Sequence, residues 1–198
     1  MNNYCMHGMS KDILKQMSLF PKGSTIFFDD ALVSVYGYID ELKRLKRLKN
    51  FTYILPFNPG IVQRADEENK PRILNYIQCS EAHRLAKENN NFNHFMTTKI
   101  IDELITDLQM IPALHSWDHF LFEKDLIIDV TQIIKFIENN QSWFNKRYIY
   151  FVWPYNKEIP DYKILFDLKL KELNKKALYF GNDRIDGPWN SYFKEDKR

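Results

Sequence analysis

Six short apolar runs rich in β-branched and aromatic residues, at about 3 to 7, 24 to 29, 51 to 56, 110 to 115, 147 to 153 and 176 to 180, recur along the chain. Helix-patterned stretches alternate with them, clearest at 33 to 49, 98 to 109, 125 to 140 and 161 to 174. This βαβα order predicts a parallel sheet with crossover helices, because parallel neighbours cannot be joined by a tight turn. Six strands are few for a complete eight-stranded barrel. A distorted or incomplete (β/α) barrel is therefore expected, with an open doubly wound sheet as the alternative. The 198 residues, 44% of them apolar, suffice for one domain with a substantial core. Residues 57 to 97 contain Pro56-Phe-Asn-Pro59-Gly60, Pro71 and Asn89-Asn-Asn-Phe-Asn93, and read as a long irregular insertion within that domain.

Two of the runs end in groups that carry chemistry. Ser24-Thr-Ile-Phe-Phe-Asp-Asp30 delivers two carboxylates where a buried strand meets its loop. Adjacent strand residues point to opposite faces, so one aspartate is expected to ligate while the other approaches from the side. Met110-Ile-Pro-Ala-Leu-His115 delivers an imidazole, and His119 follows four residues later. On a helical turn that spacing puts both rings on one face, able to grip a single cation. Asp-Asp alone is a common turn or cap signal. Its pairing with the histidines is more telling, because parallel α/β folds collect their sites at the carboxyl ends of strands. Two imidazoles and one carboxylate suit Zn2+ and also admit Co2+, Ni2+ or Fe2+.

Phe28-Asp29-Asp30 resembles the first motif of the polysaccharide deacetylases, the NodB-homology carbohydrate esterases of the family 4 type. His115-Ser116-Trp117-Asp118-His119 resembles their His-Ser/Thr-x-x-His motif, and Phe151-Val-Trp-Pro-Tyr155-Asn156 resembles their Arg-x-Pro-Tyr-Gly stretch. The resemblance runs from about residue 24 to 156. It implies a NodB-like distorted barrel and a metal held by Asp30, His115 and His119. It also implies Asp29 as general base and the backbone N–H of Tyr155 as an oxyanion donor. The activity implied is hydrolysis of an N-acetyl, or alternatively an O-acetyl, group on a sugar or saccharide intermediate.

This chain departs from the family pattern at three points. Ala31 stands where the family has Gly. Val152 replaces the arginine that orients the base, leaving Arg184 and Arg147 as candidates for that task. No histidine follows His119, so the family's late general-acid histidine is missing, and His7, at the end of the first strand, is the candidate substitute. Trp117, Trp153 and Arg184 are candidate substrate contacts.

Other features narrow the function classes. The net charge is only +2, and the basic run Lys43-Arg-Leu-Lys-Arg-Leu-Lys49 carries Leu42, Leu45 and Leu48 at helical spacing. It reads as the solvated face of an amphipathic helix, with no nucleic-acid partner expected. No membrane span or secretory leader is apparent, and a cytoplasmic location is expected. Cys5 and Cys79 lack a metal-binding spacing and suggest no disulfide framework. Two alternatives stay open: a catalytically degenerate sugar-binding or regulatory relative, and a metal hydrolase or lyase of another substrate class on the same scaffold. The oligomeric state is not legible in the sequence.

Overall fold

The computed structural model of the chain describes residues 2–119 and 125–181. Six strands form one sheet of parallel strands in the order of the sequence: β1 (Asn3–His7), β2 (Thr25–Asp29), β3 (Thr52–Phe57), β4 (Ile111–Leu114), β5 (Tyr148–Val152) and β6 (Lys176–Phe180). The order never reverses. A doubly wound sheet needs a reversal point, so this topology is that of an incomplete (β/α) barrel. The helices are α1 (Lys11–Met17), α2 (Ile39–Lys49), α3 (Pro59–Glu68), α4 (Cys79–Asn89), α5 (Thr98–Asp107), α6 (Leu126–Asn139) and α7 (Pro160–Glu172).

The stretch expected to be an irregular insertion contains α3 and α4, while residues 69–78 between them and 90–97 after them belong to no helix or named strand. The same residues that suggested loop are helix punctuation. Pro59 opens α3, where its missing N–H costs nothing, and Asn90 ends α4 in the left-handed conformation at φ 49°.

The chain divides into two compact units, with boundaries inside β3, α3 and β4. In the first, residues 2–55 and 62–111, β2 is buried along its whole length. A strand covered on both faces reads as a continuous apolar run, which is why Ile26-Phe27-Phe28 shows no polar alternation. Phe28 packs edge-on to Tyr53 at 5.3 Å, and the Tyr53 hydroxyl donates to the Leu42 carbonyl of α2 at 3.0 Å. Leu42 and Leu45 are buried, whereas Leu48 is exposed. The basic face of α2 also holds α5, with Lys46 donating to the Leu108 carbonyl and Lys43 paired with Asp107 at 2.9 Å.

The second unit, residues 56–61 and 112–181 as described, is built on aromatic packing. Phe151 of β5 contacts Trp153, Tyr162, Phe166 and Tyr179, with ring centroids 5.0 to 5.7 Å apart. Within this unit the His115 amide donates to the Phe57 carbonyl at 2.9 Å, so the ends of β3 and β4 are joined there.

Candidate active site

In the first unit, β1 and β2 pair with His7 opposite Asp29. The chain then turns left-handed at Asp30 (φ 62°) and Ala31 (φ 49°). Strand alternation, expected to separate the two aspartates, ends at that turn. Asp29 Oδ2 lies 3.5 Å and Asp30 Oδ2 3.8 Å from the same His7 Nε2. Two successive left-handed residues other than glycine cost about 1–2 kcal/mol each, and Asp tolerates this better than Ala. The turn is held by Met96 N–H donating to the Ala31 carbonyl at 2.9 Å and by Val33 N–H donating to the His94 carbonyl at 2.8 Å.

Three further side chains reach this pair: His83 and the two cysteines whose spacing gave no metal signal. Cys79, the first residue of α4, places its thiol 2.8 Å from Asp30 Oδ2. One turn later His83 Nε2 lies 3.1 Å from Asp30 Oδ1, and its ring packs edge-on to Phe95 at 5.2 Å. Cys5 Sγ is 3.8 Å from Asp29 Oδ2, and burial, with the two carboxylates adding to it, pushes this thiol well up from its ordinary range. The i, i+4 spacing of Cys79 and His83 was the available signal for a shared helical face.

In the second unit, the residues after β4 are fixed by a buried carboxylate. Asp129, in the first turn of α6, is fully buried and accepts from the amides of Trp117 (3.0 Å) and Asp118 (3.4 Å) and from the Tyr162 hydroxyl (2.7 Å). Burial raises its carboxyl to about 6 although these three donors pull the other way. Asn58 Nδ2 donates to the His115 carbonyl, and Ser116 takes a left-handed φ of 65°. Gly60 N–H donates to the Trp117 carbonyl at 2.8 Å. The strand end is thereby bent so that the His115 and His119 rings lie 5.1 Å apart.

Each imidazole is also oriented through its Nδ1. His115 Nδ1 lies 2.9 Å from the Val152 carbonyl, an acceptor only, so Nδ1 carries the proton and Nε2 the lone pair. His119 Nδ1 lies 2.9 Å from the Tyr155 hydroxyl, with the rings edge to face at 4.3 Å. A histidine held through one nitrogen with the other presented as a donor is the arrangement of a metal ligand. The second unit thus fits a cation in donor type, and at His115 in tautomer as well.

Other candidates from the sequence fall differently. Tyr155 has a left-handed φ of 56° in the short turn Pro154–Asn156, and it meets His119 through its side chain. Trp153 is 1% exposed and stacked on Tyr179 at 5.2 Å, an interior position and not an exposed wall for a sugar. Trp117 is half-buried, edge-on to Phe136 at 6.4 Å. Arg147 precedes β5, roughly 17 Å along the strand from Val152, which puts its backbone at the wrong end to serve a group at the carboxyl edge. Arg184 lies outside the described residues.

No protein-family model matches the chain, and no curated protein matches it. Among solved structures it is similar to IcaB from Ammonifex degensii, at 14% identity and a TM-score of 0.53, over 90% of this chain and 82% of that one. A de-N-acetylase from Aggregatibacter actinomycetemcomitans matches at 14% identity and a TM-score of 0.48, over 90% of this chain and 71% of that one. The first likeness establishes a shared fold.

Proposed function

We propose that the chain is a metal-dependent deacetylase that hydrolyses the N-acetyl, or alternatively the O-acetyl, group of a saccharide. Asp30, His115 and His119 would hold the cation, a donor group of one carboxylate and two imidazoles suited to Zn2+. The observation that carries this reading is the 2.9 Å hydrogen bond between His115 Nδ1 and the Val152 carbonyl, which leaves Nε2 to face a cation. Each donor also follows the carboxyl end of a strand, Asp30 after β2 and His115 after β4, where sites of parallel α/β folds form. The motif resemblance is what argues for the substrate class.

When bound, a divalent cation would polarise the acetyl carbonyl and acidify a water molecule. The remaining chemistry falls to side chains. Asp29, beside Asp30 in sequence, takes the proton from the attacking water. The leaving nitrogen needs a proton, and the 3.5 Å separation of Asp29 Oδ2 from His7 Nε2 supports transfer through His7. The Tyr155 backbone N–H is the proposed donor to the tetrahedral oxyanion.

The test is acetate release. Zinc-loaded protein is incubated with N-acetylated and O-acetylated oligosaccharides, and acetate and free amine are counted. Equal amounts of both from an N-acetylated substrate support the reading. A protein carrying one equivalent of zinc that frees no acetate from either class, both as wild type and as Cys79→Ser, overturns it.

A further inference from the structure

The donors around Asp30 in the first unit make a second set, one that contains sulfur. His7 Nε2, an Asp30 carboxylate oxygen and Cys79 Sγ all lie within 4.8 Å of one another. Ligands of a tetrahedral zinc, with bonds of about 2.0–2.3 Å, stand roughly 3.3–3.8 Å apart. The His7 to Asp30 separation is 3.8 Å and the Cys79 to Asp30 separation 2.8 Å, so a cation would need only small side-chain adjustments. Each donor has a different anchor: His7 ends β1, Asp30 follows β2, and Cys79 opens α4, where helix amides favour negative charge.

Two observations set this apart from a chance gathering of polar groups. His83, itself buried, approaches the other oxygen of Asp30 at 3.1 Å and so orients the carboxylate, as outer partners of metal ligands do. The site is also reachable, because the His7 side chain is 39% exposed while Asp30 is buried. Cys5 is the less suited sulfur, 3.8 Å from Asp29.

We infer that His7, Asp30 and Cys79 form a thiolate-containing position for a divalent cation such as Zn2+ or Co2+, lying wholly within the first unit. Binding breaks the S–H bond of Cys79, forms a metal–sulfur bond and releases one proton to solvent, with no redox change. The position stands whether or not Asp30 also serves His115 and His119. The two uses of His7 exclude each other, so a cation here would silence the proton donor proposed for hydrolysis.

The experiment titrates the full chain with Co2+ and follows thiolate-to-cobalt charge-transfer absorption. A sulfur band should appear in the wild type, persist in a variant combining His115→Ala and His119→Ala, persist in Cys5→Ser and vanish in Cys79→Ser. Persistence in the double histidine variant separates this position from the proposed hydrolytic one, whose loss would be read as lost acetate release. His83→Ala should weaken cobalt binding about 10–100-fold. Should Cys79→Ser disturb folding, zinc-edge X-ray absorption of the wild type reads sulfur in the coordination shell directly. Cobalt or zinc bound with no sulfur ligand, a band that survives Cys79→Ser, or no metal uptake by the wild type would each overturn the inference.

Discussion

His115 donates its Nδ1 proton to the main-chain carbonyl of Val152, 2.9 Å away. Position 152 is where the resemblance leads one to look for an arginine, and in this chain it orients the first imidazole through an atom that every residue possesses.

Its side chain should therefore matter for packing alone. Val152 is 1% exposed, so Val152→Ala should cost about 2 kcal/mol of stability. Zinc affinity, measured by calorimetry, should stay within a factor of a few. His115→Gln should instead weaken zinc binding by two orders of magnitude or more, while leaving the urea midpoint of the metal-free protein close to that of the wild type.

Replacing the proposed base should separate binding from chemistry. Asp29→Asn is expected to retain zinc and to lose about 10²–10⁴-fold in acetate release. Wild-type turnover in that variant would dismiss Asp29 as the base. His7→Gln should reduce the rate most for substrates whose leaving amine is most basic, and an unchanged rate would dismiss the proton path through His7.

The buried carboxylate of Asp129 predicts a pH dependence of stability. Its folded value is raised from 3.8 to about 6 by burial. The folded protein therefore binds the extra proton between these values, and this contribution is fully present below pH ~4 and lost as the pH rises through ~6. The shift corresponds to about 3 kcal/mol. Urea denaturation of wild type and Asp129→Asn at pH 4 and pH 7 isolates it, since the other carboxyl groups are common to both. The wild type should lose about that much relative to the variant on going to pH 7, and a difference that does not change with pH would refute the assignment.

Gly60 should resist substitution although it lies in a helix. A Cβ there would meet Trp117 Nε1 at 2.6 Å and the Trp117 carbonyl oxygen at 2.9 Å. Alanine gains up to about 1 kcal/mol in helix propensity, but displacing a backbone atom costs about 1–3 kcal/mol. Gly60→Ala should thus lower the thermal midpoint and, by moving the segment between the two histidines, weaken zinc binding.

The strands were legible because each is a short apolar run, and all six lie within one or two residues of their expected bounds. The segment around α3 and α4 was not. Proline and asparagine mark both loops and helix ends, and only the neighbouring structure tells which. For the aspartate pair the alternation rule holds only while the backbone stays extended, and Asp30 leaves that region at φ 62°. A different reason applies to Cys79, set aside for lack of a metal-binding spacing. Its partner Asp30 is 49 residues away, and no periodicity spans such a distance. Trp153 looked like a site residue from its motif, yet its neighbours Tyr179 and Tyr162 enclose it, and these come from parts of the chain that no local pattern connects.

The unbroken strand order also bears on how the chain is made. Because β1 to β6 are neighbours in space in the order they leave the ribosome, no later strand has to push between two that are already paired. The sheet can lengthen at one growing edge during synthesis, each strand docking on its predecessor, so the sequence separation between partners never exceeds one crossover.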